Sequence, residues 1–337
     1  SMDIGLIGFG GIGQALAGLL IEKKKYLREK YNLEINLKYI INSSGGIYNP
    51  EKIDLIHLIN HIQKGKQISE YKDWGNYNID SIIANGDVDT IVELTHTNIS
   101  SGQPGLMHME KALKNRMNVV TGNKGPIFLK YKYLNELAGE NGVQLMVGCT
   151  TGGALPSING GVIEVAGSEI TSMEGILNGT TNYILSEMME KDISYDEALK
   201  QAQKEGIAEK NPTLDIEGYD TAVKIIILSN VIFNTDLSLN DIKVEGISHI
   251  KKEELIVLKE QGKKLKLMGK VAMKNGKATA EVKLCEIDKS HPLYLVDGKN
   301  KGITYKTDSL GEISIIGGAS GRINAAAAIL RDLINLK

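Results

Sequence analysis

The segment from Thr221 to Ile232 contains one charged residue, Lys224, among apolar neighbours. A helix that is apolar on nearly every face is buried, and a buried lysine needs a partner or a lowered pKa. Asp220 stands four residues before Lys224, so the two side chains share one face of a helix and can pair. If exposed, this pair is an ordinary salt bridge of little energetic value. The apolar neighbours instead favour a lysine held in a cleft, where it could take or give a proton.

Two further carboxylates and a second lysine are candidates for the same chemistry. Glu209 and Asp215 bracket a short polar loop before Asp220, and they could bind an ammonium group or simply be solvated. Lys124 comes just after the predicted strand Val119 to Thr121. Ligands of open α/β sheets bind outside the carboxyl ends of the strands. Lys124 is therefore either a solvated loop lysine or one that faces a cofactor and a substrate.

A glycine turn near the start of the chain, Gly8-Phe9-Gly10-Gly11-Ile12-Gly13, is the third candidate. It follows a predicted strand and opens a predicted helix. Gly8 then permits the tight turn, Gly10 lets the backbone approach a pyrophosphate, and Gly13 lets the helix pack on the strand. The unpaired amides at the helix N-terminus suit phosphate groups. The alternative is a turn that only reverses the chain. We predict a dinucleotide site contacted by Gly8, Gly10, Gly11, Ile12 and Gly13.

The end of the second predicted strand bears on which dinucleotide is bound. NAD is usually held there by an acidic residue at its ribose 2′-hydroxyl, whereas this strand runs into Asn42-Ser43-Ser44. Neutral side chains do not repel a 2′-phosphate, but no arginine at the turn is available to bind one. Ser43 and Ser44 are therefore predicted cofactor contacts, and both NAD and NADP stay open.

The elements that position these candidates change in character near residue 150. Up to Gly148, short apolar runs alternate with longer helical patterns, as in a parallel sheet covered by helices. The predicted strands are Ile4 to Ile7, Leu37 to Ile41, Thr90 to Leu94, Val119 to Thr121 and Leu145 to Val147, and the predicted helices include Gly11 to about Lys30 and Pro126 to Glu140. The first half is therefore predicted to be α/β.

After Gly148 the pattern predicts a mixed α+β domain. The predicted helices are Thr181 to Lys191, Tyr195 to Glu205 and Ile216 to Phe233, the second begun by a capping box of Ser194 and Glu197, and Asn275-Gly276 predicts a hairpin turn between Lys270 to Met273 and Ala278 to Leu284. The last strand, Ile313 to Ile316, and the last helix, Arg322 to Leu333, could join either half. Residues 325 to 328 are alanines, which favour close packing. We predict domains at 1–150 and 151–309, with 310–337 folding back onto the first.

Composition excludes several classes of protein. The 337 residues are 42% hydrophobic and 24% charged, the balance of a globular protein with room for two domains. A net charge of −2 gives no electrostatic reason to expect nucleic acid or an anionic membrane as partner, and no apolar run is long enough to span a bilayer. Cys149 and Cys285 have neither metal-binding nor redox spacing, and no signal peptide is recognisable. A cytoplasmic protein is expected.

Together these residues and their neighbours resemble the homoserine dehydrogenase family. The matching segments are Gly8 to Gly13, Glu93 to Asn98, Val119 to Pro126, Gly175 to Leu185, Glu209 to Asp215, and Asp220 to Lys224. The run Asn178-Gly179-Thr180-Thr181-Asn182 and the spacing of the three carboxylates and Lys224 are more specific than the glycine turn. The resemblance implies a Rossmann-type dinucleotide-binding domain followed by an α+β domain for substrate binding and dimerisation.

The resemblance also implies a reaction and a set of roles. The reaction is the reversible oxidation of L-homoserine to L-aspartate 4-semialdehyde with NAD or NADP, in threonine and methionine biosynthesis. Lys124 and Lys224 would flank the reacting oxygen, one accepting the proton and the other polarising the oxygen, and Asp220 would orient Lys224 and the substrate. Glu209 and Asp215 would bind the amino end of the substrate. The remaining implied contacts are Asn178, Gly179 and Thr180 at the junction of nicotinamide and substrate, and Thr95 and Asn123 at the cofactor.

Three more properties follow from the resemblance. Family members are usually homodimers joined through the middle domain, with the last helix folded back on the nucleotide domain. Many hold a monovalent cation near the segment Gly148 to Pro156. Where a carboxylate is common in the family, this chain has Gly148, which leaves backbone carbonyls as ligands. Only Ile334 to Lys337 follow the predicted terminal helix, so the resemblance is to the short form without a regulatory domain.

Two other functions fit part of the sequence. Another amino-acid or semialdehyde dehydrogenase would share the two-domain plan, and an acylating one needs a catalytic cysteine. Cys149 is the only candidate for that role, and no histidine stands near it in sequence. A non-catalytic dinucleotide-binding sensor needs the glycine turn but not Lys124, Asp220 and Lys224 together. The presence of all three favours an enzyme.

Overall fold

The chain forms two compact units. The computed structural model describes all 337 residues. The first unit comprises residues 1–150 together with 321–337, and the second comprises residues 151–320. The glycine turn lies in the first unit, and Lys224 with its neighbours lies in the second.

The first unit is built on a seven-stranded sheet. Its strands are β1 (Met2–Ile7), β2 (Ile35–Asn42), β3 (Gly45–Tyr48), β4 (Trp74–Gly75), β5 (Thr90–Glu93), β6 (Asn118–Thr121) and β7 (Leu145–Met146). Their order is β4-β3-β2-β1-β5-β6-β7, and only β3 and β4 are joined antiparallel. All five predicted strands are present. Because β2 and β5 flank β1, the strand order reverses at β1, and ligands bind outside such a point in open sheets.

Helices cover this sheet. They are α1 (Gly11–Glu22), α2 (Lys24–Tyr31), α3 (Leu55–Gln63), α4 (Ile79–Asn85), α5 (Gly105–Lys114) and α6 (Lys124–Glu140), with a 3₁₀ turn at Ile68–Glu70. The prediction of one helix from Gly11 to about Lys30 is wrong, because the backbone leaves helical geometry at Lys23 with φ −98° and ψ 8°. The break lets Leu27 of α2 reach the core that the apolar face of α1 already occupies.

The second unit is built on a six-stranded sheet. Its strands are β8 (Ile170–Ile176), β9 (Lys243–Val244), β10 (Lys264–Lys274), β11 (Lys277–Ile287), β12 (Lys301–Thr307) and β13 (Glu312–Gly317), in the order β13-β12-β8-β10-β11-β9. The predicted hairpin is formed by β10 and β11. Its two turn residues have positive φ, 52° at Asn275 and 75° at Gly276, as a type I′ turn requires.

The second unit also contains six helices. They are α7 (Ser157–Asn159), α8 (Gly179–Lys191), α9 (Tyr195–Lys204), α10 (Thr213–Ile216), α11 (Tyr219–Ile232) and α12 (Lys252–Glu260), with short turns at Gly160–Glu164 and Leu239–Asp241. The capping box of Ser194 and Glu197 begins α9, as predicted. The predicted helix Ile216 to Phe233 is wrong at its start. Gly218 has φ 86° there and separates α10 from α11.

The last strand and the last helix belong to different units. Strand β13 pairs with β12, so the chain returns to the first unit at Gly321 rather than at the predicted residue 310. The returning segment is α13 (Arg322–Ile334), and Ala325, Ala326 and Ala328 are buried in the core of the first unit. The small side chains allow α13 to pack closely on α1.

The architecture confirms the predicted fold class. The first unit is an α/β domain of Rossmann type, with five parallel strands covered by helices. The second unit combines helices with a mostly antiparallel sheet, as α+β domains do. None of the helices has the length and apolar character needed to cross a bilayer.

Candidate active site

Four side chains of the second unit form a hydrogen-bonded cluster, which we call the carboxylate-lysine cluster: Asn178, Asp215, Asp220 and Lys224. Asn178 Nδ2 donates to Asp215 Oδ1 at 2.7 Å and to Asp220 Oδ2 at 2.9 Å. Lys224 Nζ lies 2.7 Å from the same Asp220 oxygen. It also donates to the backbone oxygen of Leu177 at 2.7 Å. The cluster therefore joins the region where β8 ends to the two helices α10 and α11.

Local structure explains how these side chains meet. Asn178 is the N-cap of α8, and its Oδ1 accepts a hydrogen bond from the backbone N–H of Thr181 at 2.8 Å. The same amide is thereby oriented with its Nδ2 toward the two carboxylates. Gly218 makes the sharp turn that carries the chain from α10 to α11, and a Cβ there would overlap the Glu245 carbonyl oxygen. Only glycine fits this turn.

The predicted pair of Asp220 and Lys224 is buried rather than exposed. The side chains are 12% and 9% accessible, respectively. The residues on either side of the lysine in α11, including Val223, Ile225 and Ile226, are fully or almost fully buried. A buried ammonium is unfavourable unless acceptors replace its water. Asp220 and the Leu177 carbonyl supply them, so the lysine nitrogen is held at a fixed position.

The other predicted residues of the second unit, Gly179, Thr180 and Glu209, are not members of the hydrogen-bonded cluster. Gly179 is the first residue of α8, and Thr180 Oγ1 donates to the Ile207 carbonyl at 3.0 Å. The side chain of Glu209 is exposed and forms no hydrogen bond or ion pair with the cluster. Its backbone carbonyl accepts a hydrogen bond from Gln203 Nε2. The sequence spacing that grouped Glu209 with Asp215 is therefore not matched by direct contact.

The first unit contains the predicted glycine turn. Gly8 has φ 101°, and a Cβ there would lie 2.5 Å from the backbone carbon and oxygen of Leu94. A Cβ at Gly13 would lie 2.7 Å from the Gly8 oxygen, whereas one at Gly10 would meet nothing within 4 Å. Gly8 and Gly13 are thus required by the protein itself, and Gly10 leaves open space in front of α1. Gly11 and Ile12 form the first turn of that helix, and the turn fits the pyrophosphate of a dinucleotide.

A guanidinium lies beside this turn. A Cβ added to Gly11 would lie 2.5 Å from Arg322 Nε, so the arginine at the start of α13 covers the first residue of α1. Arg322 is exposed and has no hydrogen bond or ion pair in the structure. Sequence reasoning missed this residue because it follows Gly11 by most of the length of the chain. Its charge and fixed donors suit a phosphate.

The ends of β5 and β6 carry a second network of the first unit, centred on the buried carboxylate of Glu93. This side chain is 0% exposed. Its Oε1 accepts hydrogen bonds from the Thr95 backbone N–H at 2.7 Å, from Thr95 Oγ1, and from Asn123 Nδ2 at 3.3 Å. His108 Nδ1 lies 2.5 Å from Oε2. The network fixes Thr95, a predicted cofactor contact, in its loop.

Asn123 connects this network to Lys124. Its Nδ2 also donates to Thr95 Oγ1 at 3.2 Å, and its Oδ1 accepts from the Gly125 backbone N–H at 3.2 Å, which caps α6. Lys124 is the first residue of α6 and is half-buried. Sequence reasoning missed Glu93 and His108 as members of the site. The sequence did contain a signal for Glu93, since this carboxylate directly follows Thr90-Ile91-Val92 at the end of a predicted buried strand.

The predicted contacts at the end of β2 are exposed. Ser43 and Ser44 both face solvent, and the Ser44 backbone N–H donates to Asn42 Oδ1 at 2.8 Å. This bond closes a tight Asx turn after the strand. The turn carries no charge, so it neither repels nor binds a 2′-phosphate.

One backbone oxygen of the segment where the resemblance implies a monovalent cation already has a lysine partner. The Gly152 carbonyl oxygen, one of the backbone ligands available in that segment, accepts a hydrogen bond from Lys301 Nζ at 2.6 Å. The Lys301 side chain therefore already uses an oxygen that a cation bound in this segment could take as a ligand. The structure contains no cluster of three or more His, Cys, Asp or Glu side chains that suits a metal ion.

At Gly148, in the first unit, neighbouring side chains fill the space where the family commonly has a carboxylate. A Cβ at this position would overlap the Arg331 guanidinium and would lie 2.9 Å from Asp332 Oδ1. The Gly148 backbone N–H donates to Asp332 Oδ2 at 3.1 Å. Burial raises the pKa of Asp332, and Arg331 beside it acts in the opposite direction. The space that a side chain would need is filled by this pair.

Comparison with known proteins relates both units to one family. A family model described as homoserine dehydrogenase matches residues 156–334, and one described as its NAD binding domain matches residues 8–148. A homoserine dehydrogenase of Methanocaldococcus jannaschii is 41% identical over 337 residues, covering 99% of this chain and 98% of the relative. An NAD(+)-dependent homoserine dehydrogenase of Pseudomonas canavaninivorans is 31% identical and covers 99% of this chain and 95% of the relative.

A solved structure agrees with these matches. A hyperthermophilic archaeal homoserine dehydrogenase mutant in complex with NADPH has a TM-score of 0.81 at 26% identity, covering 99% of this chain and 96% of that one. These matches support homoserine dehydrogenase rather than another dehydrogenase of the same two-domain plan or a non-catalytic dinucleotide-binding sensor. The chain therefore belongs to the homoserine dehydrogenase family, and it is an oxidoreductase that uses NAD or NADP.

Proposed function

We propose that the carboxylate-lysine cluster of the second unit binds L-homoserine and L-aspartate 4-semialdehyde and that Lys224 exchanges the reacting proton. The observation that carries this proposal is the fixed position of the Lys224 nitrogen. An ammonium has three N–H donors, and Asp220 Oδ2 and the Leu177 carbonyl accept two of them. The third N–H is the one that a substrate oxygen would meet.

The proton and the hydride leave the substrate separately during oxidation. The hydroxyl of homoserine loses its proton to the neutral amine of Lys224, and the same carbon loses a hydride, which leaves an aldehyde. When bound, NAD or NADP supplies the two-electron acceptor for that hydride. In the reverse direction the Lys224 ammonium returns the proton to the aldehyde oxygen. Lys124 polarises that oxygen, and Asp220 keeps Lys224 oriented.

The amino end of the substrate carries a positive charge and needs carboxylates. Asp215 is part of the cluster, held by Asn178 Nδ2 at 2.7 Å, and is the primary partner. Glu209 is exposed and free to turn toward the same ammonium when substrate binds. Asn178, Gly179 and Thr180 line the position where the reacting carbon meets the nicotinamide. This division leaves the two ends of a short amino alcohol with distinct partners.

The first unit is proposed to hold the cofactor. Gly8, Gly10, Gly11, Ile12 and Gly13 present backbone to the pyrophosphate, and Arg322 adds a positive charge beside Gly11. Thr95 and Asn123 contact the cofactor from the loops after β5 and β6, and Ser43 and Ser44 face its ribose. One relative is named as NAD(+)-dependent and another was solved with NADPH. The uncharged turn at Ser43 and Ser44 supports use of both cofactors here.

We further propose a cytoplasmic homodimer joined through the second unit. Cys149 and Cys285 are not joined in a disulfide, as expected for a protein of a reducing compartment. The dimer follows the family resemblance. Analytical ultracentrifugation of the purified protein tests it, and a single monomeric species at assay concentration contradicts it.

An assay with L-homoserine and either NAD or NADP tests the proposed reaction and the role of Lys224. Wild-type protein is expected to form the reduced cofactor, which is followed by absorbance. Lys224→Ala is expected to lose about 10³-fold in kcat, the usual value of a positioned acid or base. NADPH binding, followed by fluorescence, is expected to survive because Lys224 lies in the other unit.

Lys204→Ala is the matched control, since Lys204 is an exposed helical lysine of the same unit. It is expected to keep wild-type kcat. Absence of turnover by wild-type protein with either cofactor contradicts the proposed reaction. Turnover of Lys224→Ala within about 3-fold of wild type contradicts the proposed proton transfer.

A further inference from the structure

Lys301 is a buried lysine that the proposed reaction does not use. It is the first residue of β12 and is 1% exposed. Its Nζ donates to the Gly152 carbonyl at 2.6 Å and to Ser320 Oγ at 3.1 Å. Lysine is seldom buried this deeply unless its nitrogen is bonded. These bonds tie the start of β12 to the distant loop at Gly152 and to the segment that follows β13.

The loop that receives Lys301 has an unusual backbone. Gly152 and Gly153 have φ of 134° and 59°. A Cβ at Gly318 would overlap the Leu155 backbone N–H, so the turn after β13 presses against this loop. Within the loop, the Leu155 N–H reaches the Gly152 oxygen only at 3.3 Å. The Lys301 nitrogen makes the shorter contact to that oxygen and is the stronger donor on the loop.

The residues around Lys301 also lie close to elements that carry the carboxylate-lysine cluster. Strand β12 pairs with β8 at Gly302 and Ile176, directly before the Leu177 carbonyl that accepts from Lys224. A Cβ at Gly179 would lie 3.0 Å from the Lys299 oxygen and 3.7 Å from Ser320 Oγ. Ser320, one of the two partners of Lys301, therefore lies beside the first residue of α8, next to Asn178, which holds both carboxylates. A displacement of Ser320 would therefore be felt at the helix start that carries Asn178.

We propose that the Lys301 ammonium is the resident cation of this loop, so that the enzyme orders the site without binding Na⁺ or K⁺. A monovalent metal ion and an ammonium have the same charge, and both bind carbonyl oxygens. An ammonium tethered to β12 is present at every salt concentration, whereas a free ion stabilises only as its concentration exceeds its dissociation constant. A second cation at the Gly152 oxygen would be repelled by the first.

Replacement of the salt in the assay tests this proposal on the wild-type enzyme. Choline chloride is exchanged for NaCl, KCl or NH₄Cl at a constant ionic strength of about 0.2 M, which holds general screening fixed. We expect kcat/KM for homoserine and the temperature of thermal unfolding to be the same in all four salts, within about 1.5-fold for kcat/KM. The unfolding measurement does not depend on turnover, so it remains informative if the proposed reaction fails.

Lys301→Met removes the charge and keeps the length of the side chain. In choline chloride this variant is expected to lose about 10-fold or more in kcat/KM. K⁺ and NH₄⁺ are expected to restore part of the activity and to raise the unfolding temperature with saturation, because they can enter the vacated position. Lys306→Met, which changes an exposed lysine of the same strand, is the control and is expected to show no ion response.

Two results overturn the proposal. One is a wild-type enzyme whose activity or unfolding temperature rises with saturation in Na⁺ or K⁺ but not in choline. The other is a folded Lys301→Met variant that gains nothing from K⁺ or NH₄⁺, which makes the lysine a structural tether only. If Lys301→Met fails to fold, the wild-type titration decides the question by itself.

Discussion

The two units prepare their candidate ligand sites by different means. In the first unit the candidate site is mainly backbone: Gly8, Gly10 and Gly13 shape a turn, and α1 begins directly after it. In the second unit it is made of side chains, with Lys224 reaching the Leu177 carbonyl across a separation of 47 residues. A backbone site is encoded by adjacent residues and is part of the fold. A side-chain site can be damaged while the fold stays intact.

Gly8→Ala is expected to have the largest effect, because it breaks the backbone site and the fold together. Its Cβ would lie 2.5 Å from the backbone of Leu94 at φ 101°. We expect a loss of about 3 kcal/mol or more in the free energy of unfolding. NADPH binding, followed by fluorescence, is expected to disappear.

Gly10→Ala is the matched control for that prediction. Its Cβ would meet no protein atom within 4 Å, so stability is expected to stay within about 1 kcal/mol of wild type. NADPH affinity is nevertheless expected to fall about 10-fold, since the methyl group enters the space for the pyrophosphate. Thermal unfolding separates the two variants, and an equal loss of stability in both contradicts the distinction.

Asn178→Ser and Asn178→Ala probe the side-chain site and are expected to have an intermediate effect. Serine keeps the N-cap of α8 but cannot supply Nδ2 to Asp215 and Asp220. We expect Asn178→Ser to retain stability within about 0.5 kcal/mol and to lose about 30-fold in kcat/KM for homoserine. Alanine is expected to lose the same activity and about 1 kcal/mol of stability as well.

Steady-state kinetics and denaturant unfolding measure the two quantities for these variants. Activity that follows stability, with Asn178→Ser fully active, would show that the amide matters only as a helix cap. The contrast between the two units would then be lost.

Ser43→Asp is expected to have the smallest effect and concerns only cofactor choice. A carboxylate at this exposed turn repels a 2′-phosphate and can accept a hydrogen bond from a 2′-hydroxyl. We expect kcat/KM for NADP to fall about 10-fold and that for NAD to change by less than about 2-fold. Asn60→Asp is the control, because it adds the same charge at an exposed position of α3. Equal losses with both cofactors would place the ribose away from Ser43.

The conformation of the glycine turn could be predicted from the sequence because its signals are local. The strand, the three glycines and the helix of the turn lie within Met2–Glu22, and each has a conformational reason of its own. The pairing of Asp220 with Lys224 is also local, because four residues make one helical turn. Both features appear in the structure at the predicted positions.

Contacts between distant elements could not be predicted in the same way. Glu93 meets His108 only because α5 packs beside β5, and Arg322 reaches Gly11 only because α13 returns to α1. Neither contact leaves a pattern within one segment. Glu209 is exposed and has no side-chain hydrogen bond to the cluster, so its role beside Asp215, which was predicted from their closeness in sequence, stays a prediction.

The return of α13 has a consequence for the order in which the protein can fold during synthesis. Residues 151–320 form one uninterrupted unit, whereas the first unit needs residues 321–337 to complete its core. The ribosome makes the chain from its N-terminus, and domains generally fold as units once complete. The second unit is therefore able to finish folding first, although its sequence emerges later. Until α13 appears, the nascent first unit exposes the apolar surface that Ala326, Ile329 and Leu333 later cover, and such surface is prone to aggregation.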